Sequence, residues 1–316
     1  MTVSSTAFDR KGARLAVLLA AMLALAGVAQ AQDSTAPAAA APAAAPAEPA
    51  ASAPAPAAPA EPATPPATAE AQTAPNQPPP APPNLPVVFL PNKPELEPKA
   101  VDLLKAMSHK LASAKTLSFT SVAMYESPAR TGQPLLYSVK SDVLVKRPNH
   151  LQIITLGDGP ASEFYYDGKT VMAYTPGVEL VAMADAPDTI DAMLKAAYHQ
   201  AAIYFPFTDV LVADPWGDLK DDLKLAFYMG QSHVVGDTTT DIVVIASDTA
   251  QAQIWIGAKD HLPRMIRATF FDEPGNFRHT VEMSNWHLDG KLPKGAFTSA
   301  KAAKAKRIPF APPGAF

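Results

Sequence analysis

The chain has 316 residues, a formal net charge of −4, 18% charged residues, 34 prolines and no cysteine. The missing cysteines exclude disulfides, thiolate metal sites, a thiol nucleophile and a lipid-modified cysteine at a processing point. A mildly acidic balance, with no basic patch interleaved with aromatics, argues against nucleic acid as a partner.

Arg10, Lys11 and Arg14 precede an apolar run over 15–28 that closes on Ala29, Gln30 and Ala31. That is the basic, apolar and small-residue order of an export signal. The run is 14 residues long, short of the roughly 20 that span a bilayer, so a signal peptide over 1–31, cleaved after Ala31, and a periplasmic mature protein are expected. Over 32–86 alanine and proline dominate, with Glu48, Glu61 and Glu70 scattered among them and no aromatic residue. Such a stretch has little to bury, and its prolines favour extended polyproline II at about 3.1 Å per residue, so a disordered linker is expected. A spacer and a solubilising tail both fit it.

Residues 87–316 are left as one folded domain, long enough to bury a core. Ala100, Leu104, Met107, Leu111 and Ala114 recur at helical spacing behind Pro98, which predicts an amphipathic helix over 98–114. The period then changes. Leu117, Phe119, Ser121, Ala123 and Tyr125 alternate with the residues between them, as a half-buried strand does. Further strands are predicted over 136–146, 151–156, 163–166, 170–174 and 178–183, with Asp167 and Gly168 as a hairpin turn. At Asp188 the pattern breaks into a short helix with Ile190, Met193, Leu194 and Ala197 on one face and Asp188 as its expected cap. Tyr204, Phe205, Pro206 and Phe207 form an aromatic loop, followed by a second short helix through Asp209, Val210 and Leu211. Five more strands follow, over 225–235, 241–247, 251–257, 265–271 and 278–288. About eleven strands joined mostly by tight turns predict an antiparallel meander, and a sheet of that size must curl. The predicted class is therefore α+β: a curled antiparallel sheet wrapped on the N-terminal helix, with the mid-chain helices as a lid insertion.

Several segments resemble known proteins. Tyr166-Asp167-Gly168-Lys169-Thr170 followed by Tyr174-Thr175-Pro176-Gly177-Val178-Glu179 resembles the strand-turn-strand segment of the LolA and LolB lipoprotein-localisation proteins. Leu262-Pro263-Arg264, continuing to Phe271-Asp272-Glu273-Pro274-Gly275, resembles that family's penultimate hairpin. Arg147-Pro148-Asn149, the stretch 185–191 and Phe205-Pro206-Phe207-Thr208-Asp209 are closer still to the DUF2092 group of predicted periplasmic proteins. The resemblance covers about 94–316 and implies an unclosed half-barrel on helices, whose inner surface holds acyl chains in the carriers and serves as a sensor surface in related regulators. One departure is the insertion of 301–307 between Phe297 and Phe310-Ala311-Pro312-Pro313-Gly314, so the C-terminal strand is expected to be looped or shifted.

Enzyme signatures are mostly absent: there is no G-x-S-x-G elbow, no P-loop and no G-x-G-x-x-G. The seven histidines contain no H-x-H, H-x-x-H or H-E-x-x-H pair of the kind that places two ligands on one zinc. Asp214, Asp218, Asp221 and Asp222 surround Trp216 and Gly217 and read as a solvated helix start rather than a calcium loop. No catalytic residue, metal or cofactor is expected.

The expected function is non-enzymatic binding of an apolar ligand, a lipid or a lipoprotein acyl chain, as a carrier or chaperone. A protein-interaction or sensor module on a proline-rich tether and, as a minor case, a hydrolase are the alternatives. Phe119, Val143, Ile153 and Ile254, with Ile266, Phe270 and Met283, are expected to line the concavity. Ile190, Met193, Leu194, Phe205 and Phe207 are expected to cover it. The acid-free basic run containing Lys301, Lys304, Lys306 and Arg307 is a docking candidate for an envelope protein or an anionic membrane surface. The leader reading predicts that the intact mass of the protein exported by its host begins at Gln32; a mass retaining residues 1–31 would contradict it.

Overall fold

The computed structural model describes residues 95–271 and 275–312; the expected leader and Ala/Pro-rich linker lie outside them. The chain opens with helix α1 (Pro98–Ser113), whose stripe of Ala100, Leu104, Met107 and Leu111 is buried. Six strands follow: β1 (Thr116–Pro128), β2 (Pro134–Lys146), β3 (His150–Gly157), β4 (Ser162–Tyr166), β5 (Thr170–Thr175) and β6 (Leu180–Asp185). The mid-chain insertion forms α2 (Ile190–Ala201), α3 (Thr208–Leu211) and α4 (Pro215–Lys220). Five further strands come next: β7 (Leu225–Ser232), β8 (Thr240–Ala246), β9 (Ala250–Gly257), β10 (Pro263–Phe270) and β11 (Arg278–Leu288). Helix α5 (Ala300–Lys304) and β12 (Lys306–Ile308) close the described chain.

All twelve strands belong to one open sheet in the order β12-β6-β5-β4-β3-β2-β1-β11-β10-β9-β8-β7. Two meanders are thus joined through the pairing of β1 with β11, which runs from Leu117 opposite Leu288 to Tyr125 opposite His279. Every ladder is antiparallel except β12 on β6, where Lys306, Arg307 and Ile308 sit beside Leu180, Val181 and Ala182 in parallel. The sheet is the predicted curled, unclosed half-barrel in an α+β fold. Beyond the eleven strands read from alternation, the inserted basic segment supplies the twelfth at the outer edge.

Alternation fixes which side chains enter the core. On β1, Leu117, Phe119, Ser121, Ala123 and Tyr125 are buried while their neighbours are half exposed. Register carries that face across the sheet: Phe119 stands opposite Val143, Val143 opposite Ile153 and Ile153 opposite Phe164. Helix α1 packs over β7 and β8 and touches α3 and α4. A second, smaller core lies on the opposite face, where Tyr165, Met172, Tyr174 and Val181 pack with Ala302 of α5.

Two local expectations are corrected. The cap of α2 is Thr189, whose side chain accepts from the Ala192 amide at 3.3 Å; Asp188 stands one residue too early for those free amides. The strand expected from Val178 starts at Leu180, because Pro176–Val178 form a 3₁₀ turn ended by Glu179 at φ 51°.

The face assignment predicts opposite outcomes on one strand. Leu151 of β3 is 0% exposed and Leu156 is 56% exposed. Leu151→Ala should lower unfolding free energy by about 2 to 5 kcal/mol, and Leu156→Ala by no more than about 0.5 kcal/mol. Urea denaturation midpoints measure both, and equal losses would contradict the assignment.

Candidate functional site

The sheet's inner face gathers the residues singled out in the sequence. Phe119, Val143, Ile153, Ile254, Phe270 and Met283 are buried in one apolar cluster with Ile190, Met193, Leu194 and Phe207; Ile266 and Phe205 pack against it half-buried. Ile266 joins the rows by register, standing between Ile254 and Val281. The insertion reaches the sheet through its aromatic loop. Trp286 stacks on Phe119, Phe119 meets the edge of Phe207, Phe207 stacks on Phe205 and Phe205 meets the edge of Phe164, with ring centroids 4.4, 5.5, 5.9 and 5.2 Å apart. This chain of rings crosses the inner face from β11 to β4. Offset and edge contacts of this kind contribute about 0.5 to 1.5 kcal/mol each beyond burial.

Backbone and side-chain bonds hold the insertion in place. Arg147, at the end of β2, donates from Nη1 to the Leu211 carbonyl at 2.7 Å and from Nη2 to the Leu111 carbonyl at 3.5 Å. The next residue, Pro148, accepts from the Ile190 amide at 2.9 Å. Asp191 accepts from the Ala213 amide at 3.1 and 3.2 Å, and the Tyr166 hydroxyl donates to the Pro187 carbonyl. The Ser108 hydroxyl of α1 accepts from the Trp216 amide at 2.9 Å. Arg147, Asp191 and Ser108 carry no apolar periodicity, so their role was not legible from hydrophobic pattern; the Arg147-Pro148-Asn149 motif and the stretch 185–191 marked the first two, and nothing marked Ser108.

Polar groups are also buried on the sheet and in the insertion. The side-chain atoms Ser121 Oγ, Asp209 Oδ1 and Arg147 Nε are buried without a hydrogen-bond partner. Burial, and then the nearby Asp218, push the Asp209 carboxyl up to about 7. Burial depresses the His279 imidazole to about 4, opposed by Glu126; its ring lies 4.9 Å from Phe270 and 6.1 Å from Tyr125. Neither residue was read from the sequence as part of the site. Among the described residues no group of three or more His, Asp or Glu side chains stands close enough to hold a metal ion.

Two features lie away from this face. A cavity of about 470 Å³ at the strand ends is lined by Pro128, Pro134, Phe277 and the ion pair of Glu126 with Arg278 at 2.7 Å. On the opposite flank, Lys301, Lys304, Lys306 and Arg307 are all exposed on α5 and β12.

The two shifted groups predict compensating pH effects. His279 binds its proton more weakly when folded, so its contribution falls as pH drops from about 6.5 to 4. Asp209 binds its proton more tightly when folded, so stability rises as pH drops from about 7 to 3.8. Each shift corresponds to about 3 to 4 kcal/mol. Relative to wild type, His279→Phe should therefore gain stability as pH falls from 6.5 to 4, whereas Asp209→Asn should lose it as pH falls from 7 to 4. Urea titrations across pH 4 to 7 measure both; parallel slopes in the two variants would contradict the assignment.

No curated protein matches this sequence. Among solved structures, an uncharacterised conserved protein of Thermus thermophilus is similar at 12% identity, with 67% of this chain and 99% of that chain covered and a TM-score of 0.40. A LolA superfamily protein from Nitrosomonas europaea is similar at 11% identity over 63% of this chain and 97% of its own, with a TM-score of 0.29. The Pseudomonas aeruginosa MucA/MucB complex contains a chain similar at 15% identity, covering 65% of this chain and 62% of that chain, with a TM-score of 0.38. Residues 100–311 match a family described as predicted periplasmic protein. That match spans more than half of the sequence and includes the whole inner face, its aromatic cover and Arg147: the chain belongs to the DUF2092 family.

Proposed function

We propose that this protein is a non-enzymatic periplasmic binding protein that takes the acyl chain of a lipid or lipoprotein against the inner face of its sheet. The observation that supports this reading most is the nature of the cover. The row Phe119, Val143, Ile153 and Phe164 is roofed by a loop carrying Phe205 and Phe207, not by another sheet. An acyl chain replaces such rings with apolar surface of the same kind, at about 0.8 kcal/mol per buried CH₂ before the cost of association. In this reading α2 and the loop 203–207 act as the lid, and Ile254, Ile266, Phe270 and Met283 extend the bed.

A second reading, a protein-interaction or sensor module, draws on the basic edge. Lys301, Lys304, Lys306 and Arg307 sit where the sheet ends in a three-residue strand. Cations there contribute about 1 kcal/mol each near an anionic surface, and they can equally meet an acidic surface of an envelope protein.

The test is titration of the mature protein with a fluorescent fatty acid, alongside native mass spectrometry and a thermal melt. Saturable binding is expected, and Ile266→Glu should weaken it at least tenfold while remaining folded, since Ile266 is half-buried. No binding to the wild type, with one envelope protein captured instead, would favour the second reading.

A further inference from the structure

Next to the aromatic row, one step along each strand toward the β1–β2 turn, the inner face becomes polar. Ser121 stands opposite both Met283 and Ser141, Ser141 opposite Thr155 and Thr155 opposite Ser162. Four hydroxyl side chains therefore occupy consecutive positions of a single row on a face otherwise lined by Leu117, Phe119, Val143, Val145, Leu151 and Ile153. Ser121 is 1% exposed and Ser141 3% exposed, whereas Thr155 and Ser162 are half-buried, so the row opens toward β3 and β4. Ser141 Oγ and Thr155 Oγ1 bond to each other at 3.0 Å. Ser121 Oγ has no partner. A buried hydroxyl left unpaired is unfavourable, and its donor is satisfied by any acceptor brought beside it.

Resting on the reading of this face as an acyl bed, we infer that Ser121, with Ser141 and Thr155, forms a subsite for the ester carbonyl that joins an acyl chain to its headgroup. The ligand class is thereby an acyl ester rather than a free hydrocarbon. Rows on one face of a strand lie about 6.6 to 6.8 Å apart. A carbonyl bonded to Ser121 thus leaves the chain lying under Phe205 and Phe207, on the Phe119 row and toward Leu117, Val145 and Leu151. The glycerol or peptide part points the other way, past Ala123 and Val139 toward the paired rings of Tyr125 and Tyr137, stacked at 5.6 Å. Ser121 donates the hydrogen bond, and no bond is made or broken in the ligand.

The experiment compares a monoacylglycerol with its ether analogue of the same chain length, which lacks only the carbonyl oxygen. Affinities are read by native mass spectrometry on wild type, Ser121→Ala and Ser121→Thr. Wild type should prefer the ester by on the order of fivefold, the value of one neutral hydrogen bond. Ser121→Ala should bind both compounds alike, at the wild-type affinity for the ether, and should melt higher because an unpaired hydroxyl is gone. Ser121→Thr, which keeps the donor, should retain the preference. Equal affinity of wild type for both compounds, or an ester preference that survives in Ser121→Ala, overturns the subsite while leaving the acyl bed intact. Failure of wild type to bind either compound overturns the acyl bed itself and the subsite with it.

Discussion

The guanidinium of Arg147 is the joint at which the layers of this fold meet. It leaves the end of β2 and donates to the Leu111 and Leu211 carbonyls, in the last turns of α1 and α3. Helix C-terminal carbonyls lack partners within their own helix and carry partial negative charge, so one half-buried cation satisfies both and complements both dipoles. Burial lowers the Arg147 pKa, yet arginine stays charged at any physiological pH. Because Pro148 then accepts the first amide of α2, two consecutive residues set the distance between the sheet and three helices. The placement of Phe205 and Phe207 over Phe119 and Phe164 follows from that distance.

The two faces of the sheet are covered differently. Under α1, α2 and the aromatic loop lies the main core; under α5 lies only a small cluster around Tyr165, Tyr174 and Ala302. Edges are dealt with separately. Along β7, residues 95–97 add a short parallel segment, with the Glu97 amide donating to Ala226 and the Ala226 amide to Glu95. At the other edge the last strand is three residues long and carries Lys306 and Arg307, and shortness and positive charge both discourage strand-to-strand association.

The unpaired polar atoms are unevenly distributed. Ser121 Oγ on the sheet, Arg147 Nε at its end and Asp209 Oδ1 in the insertion lie between the sheet and the helices or within the helices themselves, whereas His261 Nδ1 belongs to the turn between β9 and β10. Each is costly while buried and is relieved by water or by a ligand's polar group. The insertion is held to the sheet by buried apolar side chains and single hydrogen bonds, whereas neighbouring strands are bonded along whole ladders.

Most elements were legible because their signals are local. The alternation Leu117, Phe119, Ser121, Ala123, Tyr125 gives a strand and its buried face from adjacent residues alone, and Ala100, Leu104, Met107 and Leu111 do the same for α1. The membership of Ser121 in an apolar face could be read there too, though not its lack of a partner. What only the tertiary structure decided is non-local. The pairing of β1 with β11 joins segments more than 150 residues apart, and no pattern within either strand specifies it. The strand β12 is too short to alternate and its residues are all exposed, so nothing in its composition distinguishes it from loop. The joint at Arg147 depends on where two helix ends arrive in space. Apolar periodicity encodes which face of an element is buried, while the identity of what covers that face is set by register, helix-end geometry and buried polar bonds that connect residues distant in the chain.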